Sequence, residues 1–303
     1  MFNRKLDAAG LVLVTGASTG IGRAIAMHLG SIGFHVLAGV RKPFDAESVE
    51  EEARVRKADV RATQLDITDA EQVKACAVLV RQIVGKTGLR GLVNNAGTCV
   101  IGPAEFVSID DWKKQFDVNV FGQIAMTQAM LPLLRQYSQW NQSVRRGSST
   151  ARIVLMSSIA GRISQPMLAP YTASKHALEA IGDSLRFELR RSGVGVSLIE
   201  PGAVESDIWS KGKQQAGQFA PGTPADAVYG PELRAVEQAA RTSMSGAIDA
   251  AHVARAVARA MLSSSTPSRI VIGRDAKVGA MLKRFMPTWA MDRLIARVFK
   301  LPK

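Results

Sequence analysis

The sequence has few of the residues that build disulfide frameworks, metal centres and membrane spans. Only two cysteines, Cys76 and Cys99, occur in 303 residues, which is too few for a disulfide framework and typical of a reducing compartment. The four histidines lie far apart in the chain, so we expect no metal site. No run approaches the roughly 18 consecutive apolar residues that cross a bilayer, and the apolar run at Leu11 is too short for a signal peptide. We therefore expect a cytoplasmic protein, with association at a membrane surface left open.

Acidic residues are outnumbered by basic ones. The chain has 39 Lys and Arg against 26 Asp and Glu, a net charge of +13 and a pI near 10.1. Such a balance raises the question of nucleic-acid binding. The basic residues are scattered along the chain and no recognition motif accompanies them, so we expect no nucleic-acid partner. With 47% hydrophobic residues and no linker or repeat, residues 1–303 are predicted to form one domain.

Short apolar runs alternate with helical patterns along most of the chain. This alternation predicts an α/β fold in which a doubly wound parallel sheet of the Rossmann type has helices on both faces. Long helical patterns cover 69–86 and 109–134. The predicted strands are Leu11–Val14, Phe34–Val40, Val60–Leu65, a strand from Gly91, Ile153–Met156, Val194–Ile199 and Arg269–Ile272.

The first predicted strand leads into the turn T-G-A-S-T-G-I-G. Gly16 permits a tight turn, Gly20 lets the backbone approach a pyrophosphate, and Gly22 lets the next helix pack closely on the sheet. The amides at the helix N-terminus then face the phosphates. A purely structural turn is the alternative, but the position after the first strand favours nucleotide binding. The predicted cofactor contacts here are Thr15, Gly16, Ser18, Thr19, Gly20, Ile21 and Gly22.

The end of the second strand distinguishes the two nicotinamide cofactors. An acid there would hold the ribose 2′-hydroxyl and repel a 2′-phosphate, whereas this chain has Arg41 and Lys42. Both can hold a phosphate through charge-assisted hydrogen bonds, with the Ser18 hydroxyl as a third contact. The sequence therefore favours NADP(H), and NAD(H) is kept as the alternative. Solvated charges that open a polar loop are the structural interpretation.

Two further strand ends carry polar or small residues. Asp66, with the backbone of Ile67 beside it, is placed to take an adenine amino group, or else simply begins the next helix. Asn94, Ala96 and Gly97 belong to a small-residue turn after the fourth strand. In this fold the same turn can both stabilise the sheet and form a wall of the cofactor site.

Tyr171 and Lys175 are the strongest candidates for chemistry. Four residues apart on a helix, they share one face. Acid/base work by a phenol at neutral pH needs a pKa lowered by about 3 units. An ammonium at about 5 Å and an effective dielectric of about 20 supplies roughly 3 kcal/mol of this. On the spacing alone, the alternative is a core tyrosine beside a solvated lysine.

Two polar residues on other elements can join this pair. Ser158 ends the fifth strand, thirteen residues before Tyr171, so a loop of ordinary length can bring its hydroxyl beside the phenol. Asn119 is an isolated amide in an apolar helical pattern. A buried amide must be hydrogen-bonded. Asn119 therefore either caps a local bend or holds a water that passes protons to Lys175.

Taken in order from about Leu11 to Asp207, these residues resemble the short-chain dehydrogenase/reductase family. The resemblance implies that Tyr171 is the general acid/base, Ser158 positions substrate, Lys175 anchors the ribose and tunes the phenol, and Asn119 holds a proton-relay water. It also places Pro201, Gly202, Val204 and Ser206 against the cofactor, together with Tyr171 and Lys175; the family usually has threonine where Ser206 stands. The matching motifs are T-G-x-x-x-G-x-G at Thr15 to Gly22, N-N-A-G at Asn94 to Gly97, Asn119, Ser158, Y-x-x-x-K at Tyr171 and Lys175, and Pro201-Gly202.

The resemblance implies an NAD(P)-dependent oxidoreductase that interconverts an alcohol and its ketone or aldehyde by hydride transfer. The segments 36–39 and 91–97 resemble the branch that acts on retinoids, steroids and other hydrophobic alcohols, and the apolar loop 166–170 suits such a substrate. A catalytically silent NAD(P)-binding regulatory protein is the alternative, although every catalytic position is filled. Family members commonly pair through the helices bearing Asn119 and Tyr171, so we expect a homodimer or homotetramer.

Three segments contain none of the motifs described above. The polar, basic segment 135–150 is predicted to be a mobile surface loop. By analogy with the family, 206–250 forms a lid over the substrate. The segment 276–303 is an amphipathic, basic helical pattern that Pro287 interrupts. One interpretation is that it lies on an anionic membrane surface. The other, which the sequence favours, is that it packs across the protein or against a subunit partner.

Overall fold

A parallel sheet forms the centre of the protein. The structure, a computed structural model, describes residues 10–145, 150–205 and 219–301. Within these residues the sheet has seven parallel strands in the order β3-β2-β1-β4-β5-β6-β7. The chain reverses direction across the sheet between β1 and β4, and ligands bind at such a switch point. The strands are β1 (Leu11–Val14), β2 (His35–Val40), β3 (Val60–Gln64), β4 (Gly91–Asn94), β5 (Ala151–Met156), β6 (Val194–Pro201) and β7 (Arg269–Ile272).

Helices cover both faces of the sheet, which confirms the predicted doubly wound fold. Predicted and observed strand ends differ by at most two residues. The helices are α1 (Gly20–Ser31), α2 (Pro43–Arg56), α3 (Ala70–Val84), α4 (Ile109–Phe116), α5 (Gly122–Arg145), α6 (Ala169–Glu188), α7 (Pro224–Ser245), α8 (Ala250–Leu262), α9 (Arg274–Phe285) and α10 (Thr288–Val298).

Alternate side chains of β1 enter two different apolar layers. Val12 and Val14 pack with side chains of α1 and α8 on one face. Leu11 and Leu13 pack with those of α3, α5 and α6 on the other. A strand that is buried on both faces must be apolar throughout. This requirement explains the uninterrupted run that β1 shows in the sequence.

The segment 135–150 was wrongly predicted to be a loop, because α5 continues through most of it. Tyr137 is buried, and the Arg90 guanidinium lies 5.5 Å from its ring centre. The Ser138 hydroxyl donates to the Gly193 carbonyl at 2.9 Å. These contacts join residues distant in the sequence, so the local polar composition could not reveal them. The last residues of the segment lie outside the described part of the chain.

The predicted helix at 109–134 is divided in the structure. A π-helical turn, Asp117–Phe121, separates α4 from α5 and contains Asn119. Such turns inside helices often mark functional sites. Near the C-terminus, α9 ends at Phe285 and α10 begins at Thr288, which confirms the predicted interruption at Pro287. Of the proposed lid, 206–218 lies outside the described residues, and α7 forms most of the rest.

Candidate active site

A cleft of about 410 Å³ lies at the carboxyl ends of β1 to β6. Each of these strands contributes at least one residue to it from its end or from the turn that follows. Most of the predicted cofactor and catalytic residues come together here. Those that line the cleft are Gly16, Ser18, Thr19, Gly20, Ile21, Gly22, Arg41, Asp66, Ile67, Ala96, Gly97, Ser158, Tyr171, Lys175, Pro201, Gly202 and Val204.

Backbone conformation at the glycine turn requires glycine. Gly16 and Gly20 have φ of +63° and +54°, which side chains rarely adopt. A Cβ on Gly22 would stand 2.2 Å from the Gly16 carbonyl oxygen. Helix α1 begins at Gly20 with no acidic residue in its first turn. Its free amides and positive dipole end are therefore available to an anion in the cleft.

Thr15 supports this turn from inside the protein and does not line the cleft. Its side chain is fully buried, and its hydroxyl oxygen accepts the backbone N–H groups of Asn95 and Ala96 at 3.0 and 3.1 Å. The lining of the cleft therefore does not support the predicted direct contact of Thr15 with a cofactor, and the position of Thr15 suits a supporting role. The bonds fasten the glycine turn to the turn that follows β4.

Of the asparagine pair after β4, the structure places Asn95, and not the predicted Asn94, at the cleft. Asn94 is fully buried, and its amide nitrogen donates to the Thr127 hydroxyl on α5 at 2.9 Å. Asn95 lines the cleft instead, and its amide nitrogen donates to the carbonyls of Thr15 and Gly16, each at 3.0 Å. The alternation of side chains along β4 turns Asn94 toward α5. This periodicity is the signal that could have separated the two residues.

Arg41 and Lys42 also differ in whether they line the cleft. Arg41 follows β2 and lines the cleft together with Ser18. Lys42 precedes α2 as its N-cap residue and does not line the cleft, so its predicted cofactor contact is not supported. No acidic residue stands at the end of β2, where one would favour a ribose hydroxyl. Ser206, also predicted to contact the cofactor, lies outside the described residues.

Asp66 lies at the cleft and is not the residue that caps the next helix. Its carboxylate accepts the backbone N–H and the hydroxyl of Thr68 at 2.9 and 2.7 Å. It also lines the cleft. The N-cap of α3 is a different residue, Asp69, which accepts two backbone N–H groups. Sequence analysis missed several other residues of this wall, namely Leu65, Thr68, Thr98, Val100, Asp111, Lys114 and Val118.

At the other end of the cleft, the first turns of α6 carry Tyr171 and Lys175. The Lys175 ammonium lies 5.7 Å from the Tyr171 ring centre and donates to the Met156 carbonyl at the end of β5 at 2.7 Å. The hydroxyls of Tyr171 and Ser158 are hydrogen-bonded to each other. Ser158 is held in turn because its oxygen accepts the Ala160 N–H at 3.2 Å. Helix α6 and the segment at the end of β5 thus place two hydroxyls and one ammonium together.

Asn119 lies behind this group and is fully buried. Its amide oxygen accepts the Thr98 N–H at 2.8 Å, and its amide nitrogen donates to the Thr98 carbonyl and the Ser174 hydroxyl, both at 3.0 Å. A Cβ on Gly97 would stand 3.4 Å from the Asn119 oxygen and 3.9 Å from the Lys175 nitrogen. Asn119 therefore fixes the π-helical turn against the loop beside Lys175.

Comparison with known proteins identifies the family. The profile of the short chain dehydrogenases matches residues 10–217. The chain belongs to the short-chain dehydrogenase family. It is an NAD(P)-binding oxidoreductase with a Rossmann fold.

Relatives of this family extend the comparison. An NADPH-dependent 3-dehydrocapnine reductase of Ornithobacterium rhinotracheale is 40% identical over 203 residues, 66% of this chain and 68% of the relative. Retinol dehydrogenase 5 of Mus musculus is 39% identical over 198 residues, 65% of this chain and only 57% of the relative. A short chain dehydrogenase of Burkholderia phymatum, solved in complex with NAD, is 26% identical, with a TM-score of 0.74 over 92% of this chain and 94% of that one.

The pKa of the Tyr171 phenol in this short-chain dehydrogenase is raised, contrary to prediction. Burial is the largest cause, the Cys99 thiol adds to it, and the hydrogen bond from Ser158 opposes it. The Lys175 ammonium therefore does not by itself bring the Tyr171 pKa down toward neutrality, because desolvation of the phenolate is the largest influence on it. With the protein's own groups, Tyr171 keeps its proton at neutral pH, as a proton donor must.

Burial also acts on Lys175, where it lowers the pKa to about 8. An unfolded lysine has a higher pKa, near 10.5, so between these values the unfolded chain binds more protons than the folded one. Stability from this group therefore rises as pH rises through this window. Between about pH 7 and about pH 9.5 we expect a gain of about 2 kcal/mol.

The Lys175→Met variant should lack this gain, since methionine does not titrate. Urea unfolding of both proteins at the two pH values measures the difference in their free energies of unfolding. This difference should move by about 2 kcal/mol in favour of the wild type at the higher pH. Taking the difference cancels the titration of all other groups that the substitution leaves unchanged. A pH-independent difference would show that the Lys175 pKa is not lowered by burial.

The described part of the chain contains no group of His, Cys, Asp and Glu side chains suited to a metal ion. Nor does it contain a helix long and apolar enough to cross a bilayer. Both cysteines are free and buried, and burial raises each thiol pKa to about 12. Neither cysteine is therefore a thiolate at neutral pH.

Proposed function

We propose that this protein is an NADP(H)-preferring enzyme that interconverts an apolar alcohol and its ketone or aldehyde, with Tyr171 as general acid/base. The observation that carries the proposal is that the hydrogen-bonded hydroxyls of Tyr171 and Ser158 line the same cleft as the glycine turn. When bound, the nicotinamide supplies or accepts the hydride. The alternative of a silent regulatory protein has no observation in its favour.

The residues present fit such a cofactor. The glycine turn and the N-terminus of α1 suit the pyrophosphate, because free amides converge there. Arg41 and Ser18 suit a 2′-phosphate, while Asp66 and Ile67 suit the adenine. Lys175 suits the ribose beside the nicotinamide. The Ornithobacterium relative is an NADPH-dependent reductase, which agrees with this preference.

In carbonyl reduction, the Tyr171 phenol donates its proton to the substrate oxygen. The Ser158 hydroxyl holds that oxygen and stabilises the charge that develops on it. Because burial raises the phenol pKa, the proton stays on Tyr171 until the oxygen becomes basic. Lys175, fixed by the Met156 carbonyl, positions the cofactor ribose and stabilises the phenolate once it forms. Asn119 is proposed to hold a relay water beside Lys175.

An apolar substrate is supported by the surroundings of Tyr171. Its ring packs in an apolar cluster with Cys99 and Leu168, and Ile101 lies against this cluster. The Gly102 N–H donates to the Met167 carbonyl at 2.8 Å, which joins the loop after β4 to the loop before α6. The mouse relative is a retinol dehydrogenase, which is consistent with a hydrophobic alcohol as substrate.

Arg41→Ala should weaken NADPH binding selectively. Loss of charge-assisted hydrogen bonds to a phosphate costs about 10-fold to 100-fold in affinity, whereas NADH lacks that phosphate and should bind as before. Titration of each cofactor, followed by nicotinamide fluorescence, gives the two dissociation constants.

Lys42→Ala is the matched control, because Lys42 is the adjacent exposed cation but does not line the cleft. It should leave both dissociation constants within about threefold of the wild type, as expected for a screened surface charge. Equal weakening of NADPH and NADH by Arg41→Ala, or a wild type that prefers NADH, would overturn the cofactor assignment but keep the enzyme class.

We also propose that residues 1–303 form one catalytic domain, and that copies pair as a homodimer or homotetramer. Phe121, in the π-helical turn before α5, and Phe187, on α6, are large exposed apolar side chains, and burial against a second copy would remove them from water. Light scattering during size-exclusion chromatography measures the oligomer size. A monomer at micromolar concentration would contradict this assembly.

A further inference from the structure

Helices α9 and α10 carry apolar side chains that the described part of the fold leaves uncovered. Val278, Met281 and Phe285 are spaced three and four residues apart, which places them on one face of α9. They are 52%, 55% and 75% exposed, and Trp289 on α10 is 63% exposed. Exposed apolar groups scattered singly are ordinary, but several on adjoining helices form a patch that calls for a partner.

The same two helices are strongly basic. Residues 274–301 contain seven basic and two acidic side chains, a net charge of +5. Within the described residues, none of the seven cations belongs to an ion pair. Two guanidinium groups lie over the exposed rings, Arg284 at 5.6 Å from the Phe285 centre and Arg293 at 5.5 Å from the Trp289 centre. The basic residues are Arg274, Lys277, Lys283, Arg284, Arg293, Arg297 and Lys300.

Helix α9 is anchored beside the cleft. The Asp275 carboxylate in its first turn accepts the Ala203 N–H at 3.0 Å, directly after Pro201 and Gly202, which line the cleft. One turn later, a Cβ on Gly279 would stand 3.0 Å from the Ile163 side chain, in the loop that follows Ser158. The inner side of α9 is therefore packed on the site, while its outer side carries the exposed groups.

We propose that this outer side, the C-terminal basic face formed by the four apolar side chains and the six cations other than Lys283, binds the surface of an anionic membrane. Aromatic and aliphatic side chains on such a face enter the headgroup boundary, and the cations attract anionic lipids. A second copy fits less well, since a self-complementary contact would place +5 against +5. The inference goes beyond the proposed function and does not depend on it.

Flotation of the full-length protein with phosphatidylcholine vesicles, with and without phosphatidylserine, tests this proposal. We expect binding only when phosphatidylserine is present, and a loss of that binding as salt is added. The double variant Phe285→Ser/Trp289→Ser should bind at least about tenfold more weakly, because two large apolar groups no longer leave water. Arg293→Glu should weaken binding by at least about fivefold, the equivalent of one surface cation.

Phe44→Ser is the matched control. Phe44 is as exposed as Phe285, at 77% against 75%, and follows two cations, Arg41 and Lys42, but it lies on α2 away from the C-terminal basic face. Its substitution should leave vesicle binding unchanged. NADPH titration of every variant shows that the protein is folded, independently of lipid and of turnover.

Three results would overturn the proposal. The first is a folded wild type that binds no vesicles, and the second is binding that is equally strong without phosphatidylserine. The third is equal weakening by Phe44→Ser and by the double variant. Self-association abolished by the double variant, without vesicle binding, would assign the face to a second copy. Salt-sensitive binding to an acidic protein, again without vesicle binding, would assign it to a protein partner.

Discussion

Replacing Tyr171 by phenylalanine should lower kcat by about a thousandfold and leave the dissociation constant for NADPH within about threefold of the wild type. The substitution removes one hydroxyl and retains the ring that packs with Cys99 and Leu168. Without the phenol, the site loses the hydroxyl that is proposed to give its proton to the substrate oxygen. Positioned general acid catalysis contributes about 10²-fold to 10⁴-fold.

The measurement uses a panel of apolar aldehydes and ketones, including retinoids and steroids, with NADPH oxidation as the signal. Tyr229→Phe is the control, because that hydroxyl donates to Glu105 at an exposed position and does not line the cleft. It should lower turnover far less than Tyr171→Phe does. Unchanged turnover in Tyr171→Phe would overturn the mechanism. Equal loss in both variants would point instead to a general effect on folding.

Replacing Arg269 by methionine should destabilise the protein by about 3 kcal/mol. Arg269 donates to Glu179 on α6 at 3.0 Å and lies 3.2 Å from Glu200, which is fully buried at the end of β6. Breaking one partner of a buried ion pair costs about 3 to 5 kcal/mol. Arg162 still pairs with Glu200, so we expect a value at the lower end. Urea unfolding monitored by circular dichroism gives the free energy.

The destabilisation caused by Arg269→Met should be smaller at lower pH. Burial raises the Glu200 pKa even with its arginine partners present, and removal of Arg269 should raise it further. A protonated carboxyl needs no counter-charge, so the destabilisation should shrink as pH falls toward about 5. Arg241→Met, which removes an exposed pair with Glu237 at 2.9 Å, is the control. It should cost at most about 1 kcal/mol at either pH.

A destabilisation as small as that of Arg241→Met would show that Arg269 contributes no more to stability than an exposed surface pair does.

The ion pairs of Arg269 also lie close to the active site. Glu179 stands one helical turn after Lys175, and Glu200 directly precedes Pro201, which lines the cleft. Loss of Arg269 should therefore also lower turnover, because α6 and β6 would no longer be tied together at that level.

Local patterns predicted the elements that depend on one stretch of chain. The apolar run of β1 and the glycine turn after it were placed correctly, because burial on both faces and a tight turn each demand residue types that the sequence shows directly. The spacing of Tyr171 and Lys175 followed from helix geometry. The interruption at Pro287 was predicted because proline lacks the N–H that a helix needs.

Errors arose where distant segments meet. The polar stretch after Leu134 became helix because Tyr137 and Ser138 contact Arg90 and Gly193, which no local pattern contains. Which of Asn94 and Asn95 lines the cleft depends on which side of β4 faces α5. Whether Lys42 or Arg41 reaches the cleft depends on where α2 begins.

The sequence by itself determined the fold class, the family and the residues assembled for acid/base chemistry, because these depend on residue type and spacing along one chain. Only the tertiary structure decided the protonation states of the side chains that carry out this chemistry. The Tyr171 phenol keeps its proton because burial raises its pKa, although an ammonium lies 5.7 Å from its ring centre. The packing of α6, β5 and β6 sets how deeply Tyr171 and Lys175 are buried, how far apart they lie and which carboxylates are near them. Electrostatic free energies depend on those quantities far more than on residue identity.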